Sequence, residues 1–421
     1  MTRPRGFVVV TGSELVRGDR RDLDGPFVAA ELLRLGVEPA RISIVGDDPG
    51  ELEAALREGL EADLCVTSGG LGPTHDDRTV ELVARCTGRR LVVDEALAAE
   101  IEGISRSVAE RLHRPYADFA EGVRKQATLP EGAVVVGIAG TAPALAMETD
   151  AGAVVVLPGP PGELQRLWPR ALGSAPVRSV LARAREPERR VLRFYGASES
   201  EIARSLAESG GEGGGVVVTI CAREFEIYVD LFVEPEGRTR ADELLTGLRE
   251  RSGRHLFADD ERPVAAMVLD LCRELGVTLA TAESCTGGLV AARLTSVPGS
   301  SDVFLGGVVA YANEVKEREL GVPEDVLERH GAVSAEAAEA MAAGVRERLG
   351  ADVAVSVTGV AGPGGGSPEK PVGLVFLHAQ GPDGSLARRL DFPGDREAIR
   401  GRAAVAALHL VRTLLSQSRD A

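Results

Sequence analysis

The sequence has no CxxC pair, no extended basic run and no apolar stretch of bilayer length, and each absence removes a class of function. Its five cysteines (Cys65, Cys86, Cys221, Cys272 and Cys285) are an odd number, and several lie inside apolar runs. That pattern argues against a disulfide framework or zinc site and for reduced thiols in a cytoplasm. Lysine and arginine total 48 against 64 aspartate and glutamate, a formal net charge of −16. Basic residues cluster no further than pairs such as Arg89-Arg90 and Arg388-Arg389. Nothing offsets the repulsion of a nucleic-acid backbone, so no nucleic-acid partner is expected. A membrane-spanning helix needs about 20 apolar residues in succession. None is present, and the opening MTRPRGFVVVTG runs straight into a strand pattern rather than a leader. A cytoplasmic protein with a small-molecule partner and no membrane partner is expected.

What is present is globular: 421 residues, 44% hydrophobic and 27% charged, too long for one ordinary core and suited to two or three domains. Residues 7–11, 41–45, 64–67 and 153–157 read as buried strands, and 26–35 and 51–60 carry apolar residues at helical spacing. Such alternation predicts an α/β fold with a parallel sheet, whose ligands bind beyond the carboxyl ends of the strands. Residues 188–256 read as a small α+β module, with strands at 190–194, 216–221 and 226–232 and helices at 199–207 and 239–251. The acidic, proline-ending FADDERP (257–263) reads as a linker. From 263 to 417 a third, α/β unit is expected, with helices at 263–275, 286–294, 334–349 and 396–415. Its strands fall at 277–282, 303–311, 353–357, 372–378 and 387–391, and no internal repeat runs through the chain.

Several constellations point to chemistry. Ser284, in TAESCTGG (281–288), sits between a strand and a helix start, where free N–H groups stabilise developing negative charge. The alternative role is an ordinary helix cap. Cys285 beside it has no histidine nearby in sequence to form a thiolate and reads as a structural thiol. Lys316 follows at the end of YANEVK (311–316); a lysine acts as a base where desolvation lowers its pKa, and otherwise is a solvated surface charge. The glycine loop 358–366 suits a phosphate or planar amide, or is a bare surface loop. Arg396 and Arg400 share one helical face and suit a phosphate clamp. Nearer the N-terminus, Gly69, Gly70 and Gly72 precede Thr74, Asp76 and Asp77 in SGGLGPTHDD (68–77), with Glu14 at another strand end. Glycine backbone, hydroxyl and paired carboxylates suit a metal-assisted phosphate or pyrophosphate site; helix-capping acids are the alternative.

The strings AESCTGG (282–288), GGVVAYANEVK (306–316), HGAVS (330–334), TGVAGPGGGSPEKPVG (358–373) and FPGDR (392–396) closely resemble the C-terminal domain of the CinA family. The resemblance implies hydrolysis of nicotinamide mononucleotide to nicotinic acid mononucleotide and ammonia, with no cofactor. Carried over, Ser284 is the nucleophile, Lys316 its base and Tyr311 a supporting hydroxyl. Substrate-binding positions fall at Thr286, Gly287, Asn313, Thr358, Gly359, Ala361, Gly362, Arg396 and Arg400. The N-terminal part, residues 1–175, resembles a molybdopterin-binding-like domain associated with ADP-ribose pyrophosphatase activity, for which a divalent metal at Asp76 and Asp77 is expected. Here GSELV (12–16) stands for the usual GTELL, DLDGP (22–26) for an asparagine-rich stretch, and Gly122-Val123 for an asparagine before RKQA. The middle module resembles a KH-like segment without a basic GXXG loop. The family's tendency implies a homodimer. Other classes to weigh are a non-catalytic nucleotide-binding adaptor linked to competence or DNA damage, and a molybdenum-cofactor enzyme.

Overall fold

β-branched runs flanked by helices on both sides set the frame of the molecule: Val8, Val9 and Val10 are all at most 2% exposed, as a strand between two helical layers requires. The computed structural model describes residues 3–420, without the side chains of Asp118 and Asp420. It divides into two units, Met1–Glu188 and Arg189–Ala421.

The first unit holds β1 (Arg5–Thr11), β2 (Glu38–Val45), β3 (Leu64–Ser68), β4 (Leu91–Val93), β5 (Thr128–Pro130), β6 (Val134–Ile138), β7 (Pro143–Glu148) and β8 (Ala153–Leu157). Its main sheet has the order β2-β1-β3-β8-β7-β6. The four strands expected from sequence are its parallel part, and β7 and β6 continue it antiparallel. The edge pair escaped the sequence reading because PALAME in β7 has little β-propensity; sheet pairing and burial override it. The expected helices appear as Asp24–Arg34 and Pro49–Gly59, the second capped by Asp48, which accepts from the N–H groups of Gly50 and Glu51.

The second unit begins with a sheet of order β10-β11-β9-β12, made of β9 (Glu188–Tyr195), β10 (Val216–Arg223), β11 (Glu226–Val233) and β12 (Leu256–Ala258). Helices Glu199–Glu208 and Arg238–Ser252 cover it. The expected linker at 257–263 is corrected at its start. β12 pairs with β9, and the Phe257 side chain, 8% exposed, is buried in the core that surrounds the C-terminal helix. An apolar ring outweighs the acidic residues that follow it.

The remaining sheet has the order β14-β13-β15-β16-β17, from β13 (Leu279–Glu283), β14 (Phe304–Val309), β15 (Val353–Gly359), β16 (Leu374–Gln380) and β17 (Ser385–Asp391). β14 and β15 flank β13 in parallel; β16 and β17 run antiparallel. The chain leaves β13 to one side and returns past it to the other, which opens a crevice at the carboxyl end of β13. Helices Val264–Leu275, Ala335–Leu349 and Arg396–Asp420 pack this sheet, and Ser334 caps the second by accepting from Ala337 N–H at 3.1 Å. No helix among the described residues is long and apolar enough to cross a membrane.

His409 on the last helix is 1% exposed and lies 2.7 Å from Glu226 of β11 through Nε2. Its ring stacks on Tyr195 at 3.7 Å and meets Phe257 edge-on at 4.6 Å, while Nδ1 has no partner. Burial lowers its pKa from the ordinary 6.5, opposed by Glu226. The unfolded chain therefore takes up a proton first as pH falls below 6.5, and stability falls with it. Urea midpoints at pH 7.5 and 5.5 check this: the parent loses stability on acidification, and His409→Gln loses less.

Candidate functional site

The carboxyl ends of β14, β13 and β15 assemble the C-terminal site by register alone. Glu283 pairs with Val309 on one side and Val357 on the other, so the next residues along each chain, Ala310-Tyr311, Ser284-Cys285 and the end of β15 at Thr358-Gly359, meet at one edge. Ser284 is held by its own N–H, which donates to Val357 O at 2.8 Å, and by Gly287 N–H, which donates to Ser284 O at 3.1 Å. Its side chain is 8% exposed, and no group among the described residues hydrogen-bonds to its hydroxyl.

Lys316 lies on the short helix Asn313–Leu320, yet is 1% exposed. Nζ donates to Ala310 O at 2.9 Å and Tyr311 O at 3.2 Å, both in the segment that leaves β14 beside Ser284. Burial lowers its pKa from 10.5, partly offset by Cys285 and Glu314. Both acceptors are neutral carbonyls, so the unprotonated amine keeps its two N–H bonds satisfied and its lone pair free. Burial pushes the Cys285 thiol up to about 12, which keeps it protonated.

The expected helix at 286–294 begins later, at Leu289, and its start is already occupied. The Glu283 carboxylate, 1% exposed, accepts from Gly288 and Val290 N–H at 3.0 Å and from Ala291 N–H at 2.9 Å. The helix-start oxyanion site is therefore corrected: a negative side chain fills it. No oxygen among the described residues accepts from the N–H of Cys285 or Thr286, and these two are the amides left beside Ser284. Glu283 was missed, although an acid directly before a serine and a glycine pair is a legible capping signal.

The other expected positions divide between exposed groups and groups already spent on holding the fold. Arg400 donates to Cys285 O at 3.2 Å and Thr286 O at 2.7 Å, and so braces the serine loop. Arg396 donates to Gly362 O at 2.7 Å and Tyr311 Oη at 2.8 Å, with the Tyr311 side chain 61% exposed. Neither guanidinium has a carboxylate partner among the described residues. Thr358 is fully buried and spends its hydroxyl on Ala332 O at 2.6 Å. Thr286 is fully buried with its hydroxyl unpartnered. Ala361 is buried, Gly287 adopts φ +61°, and Asn313 is exposed at the helix start. Gly359 must be glycine: a Cβ there would lie 2.6 Å from Leu374 O.

In the first unit a cavity of about 850 Å³ opens at the carboxyl ends of β1 and β3, lined by Glu14, Gly69, Gly70, Gly72, Asp76 and Asp77. Gly69, at φ +97°, lets the loop approach Thr11 O where a Cβ would stand 2.5 Å away. Thr74 donates its hydroxyl to both Asp76 and Asp77, and its N–H to Asp77 at 3.0 Å. No group of three or more His, Cys, Asp or Glu that could hold a metal ion exists among the described residues, so a divalent ion at Asp76 and Asp77 would need further oxygens from a bound phosphate. The sequence reading passed over Asp24, which opens helix Asp24–Arg34 at the cavity wall and is 4% exposed. It accepts from Ser68 Oγ at 2.6 Å on one oxygen and has no partner on the other; burial pushes it up to about 6. Its signal was the acid itself, in place of an asparagine, at the end of a loop after β1.

Comparison with known proteins agrees with this division. A CinA C-terminal domain model matches residues 261–415, and a probable molybdopterin binding domain model matches 7–175. The CinA-like protein of Mycolicibacterium paratuberculosis is 44% identical over 434 residues, covering 98% of this chain and 99% of that protein. The CinA-like protein of Mycobacterium tuberculosis is 44% identical over 424 residues, covering 98% and 97%. Among solved structures, the competence/damage inducible protein CihA from Agrobacterium tumefaciens is 40% identical, covering 38% of this chain and 100% of its own, with a TM-score of 0.36. Matched almost end to end by such relatives, the chain belongs to the CinA family.

Proposed function

We propose that the C-terminal site hydrolyses the carboxamide of nicotinamide mononucleotide, giving nicotinic acid mononucleotide and ammonia. The observation that carries this reading is Lys316: a buried amine without a carboxylate partner, with a lowered pKa, held by two carbonyls of the segment beside Ser284. Serine–lysine pairs perform acyl transfer on unrelated folds. Ser284 Oγ attacks the amide carbon while Lys316 takes its proton. The Cys285 and Thr286 amides are the donors available to the resulting oxyanion. The C–N bond breaks as Lys316 returns the proton to the leaving nitrogen, and ammonia departs. Water then attacks the acyl ester, giving a proton to Lys316; the bond from the acyl carbon to Ser284 Oγ breaks as Lys316 returns that proton to Oγ, and the acid departs with Ser284 and Lys316 restored. Arg396 and Arg400 place two positive charges without carboxylate partners beside the serine loop, in a chain of net charge −16, which suits a phosphate-bearing substrate.

Ammonia release from nicotinamide mononucleotide, followed without added metal, tests the reading. The parent is expected to turn over and Ser284→Ala to fall by about a thousandfold or more. Equal release from both would remove Ser284 from the chemistry. Release from neither would favour a nucleotide-binding adaptor.

For the first unit we propose binding of a phosphate-containing ligand of ADP-ribose size, supported by the glycine loop and by the cavity of about 850 Å³. No hydrolytic step is assigned to Asp76 and Asp77, whose carboxylates already accept from Thr74.

A further inference from the structure

The turn between β10 and β11 is built from residues that do not favour it. Arg223 pairs with Glu226, which leaves Glu224 and Phe225 as a two-residue loop at φ +48° and +72°. Tight hairpins of this kind prefer asparagine and glycine there, and an aromatic residue at positive φ is an outlier. Such a conformation persists only where its surroundings hold it.

The surroundings are the two helices that hold the serine loop. Both Glu224 carboxylate oxygens accept from Arg293 Nη2, at 2.7 and 2.6 Å, on helix Leu289–Thr295. The same carboxylate lies against Gly401 of the last helix, where a Cβ would stand 2.5 Å from Oε1. Phe225 packs on Phe392 at 5.3 Å, with the Arg402 guanidinium 5.0 Å from its ring centroid. Helix Leu289–Thr295 is the one whose first amides are bound by Glu283, directly before Ser284. Arg400, next to Gly401, is the residue that holds Cys285 O and Thr286 O, directly after it.

We propose that Glu224 is a positioning residue for the amidase: from the middle module it fixes the two helices that grip the peptide on either side of Ser284. The role in catalysis rests on the amidase reading; the mechanical role does not. A mere fastener between module and sheet would leave the serine loop undisturbed when cut. A positioning residue would not, because a displacement near 1 Å at a reacting group costs about a hundredfold in rate.

The test is a double-mutant cycle on the full chain. Glu224→Ala is expected to lower kcat for ammonia release about tenfold with KM within about twofold; Gly401→Ala, whose Cβ meets only the movable carboxylate end of Glu224, is expected to lower it in the same direction by less. The Val290 and Ala291 amides are expected to exchange hydrogen about tenfold faster in Glu224→Ala, and less so in Gly401→Ala. In the Glu224→Ala background Gly401→Ala adds nothing further, since no carboxylate remains to displace. Unchanged exchange at these amides, or strictly additive effects, overturns the proposal. Should Glu224→Ala not fold, Glu224→Gln, which keeps the shape and loses the charge, is read by the same two measurements. If the parent releases no ammonia, the amidase reading fails, and the exchange arm still decides the positioning role.

Discussion

Replacing Lys316 with methionine is expected to lower ammonia release by about 10²–10⁴-fold without lowering the neutral-pH stability of the fold. The side chain is 1% exposed, and burial lowers its pKa from 10.5. The unfolded chain stays protonated up to 10.5, so between the folded pKa and 10.5 it binds more protons than the native state, and stability rises with pH across that window. At neutral pH the buried amine is therefore a cost to the fold, as the amidase reading requires of its base. Methionine fills a similar volume and removes the titration. Urea unfolding between pH 7 and 10 checks the second half of the statement by difference: the buried thiols Cys65, Cys272 and Cys285, pushed up to about 12, lower stability with rising pH in both proteins, and against that common fall the parent gains on Lys316→Met. Near-normal turnover in the variant would remove Lys316 from the mechanism, and an equal pH slope would remove the buried-amine argument.

Glu283→Gln is expected to damage both stability and turnover. The wild-type carboxylate accepts from three amides at 2.9–3.0 Å while 1% exposed. Glutamine offers one acceptor oxygen, turns an NH₂ group toward N–H donors and removes the charge that opposes the helix start. Bonds to charged groups contribute about 1.5–3 kcal/mol each, so a loss of about 3 kcal/mol follows. In a domain of this size that is a fall of about 6–12 °C in the unfolding midpoint, read by calorimetry. Ser284 directly follows Glu283, so ammonia release falls with it. An unchanged midpoint would mean that the carboxylate does not carry the helix start.

Local pattern was enough for much of this. Runs such as Phe7–Val10 and Val154–Val156 are apolar on both faces, and that alone marks central parallel strands. The glycine loops were legible for a related reason: positions such as Gly69 and Gly359 exclude any Cβ, and a short peptide advertises that requirement. Ser284 and Lys316 stood out because each lies in a strand-to-helix turn, where side chains collect at one sheet edge. The turn tip Glu224-Phe225 gave no local sign, since nothing in its own sequence favours positive φ.

What local pattern does not contain is strand order. A period of two or of 3.6 says which residues face a core and not which strand lies beside which. Only the order β14-β13-β15 puts Ala310 and Tyr311 against Ser284, and so turns Lys316 from an ordinary surface charge into a desolvated amine. The bond from Arg400 to Thr286 spans 114 residues and that from Arg396 to Tyr311 spans 85, and no helical or strand periodicity reaches so far. The sequence by itself determined the family, the alternation of strand and helix and which side chains are candidates for the site. The tertiary structure decided which were buried, which were braced and which kept a free lone pair, because desolvation and long-range hydrogen bonds exist only once the sheet has closed.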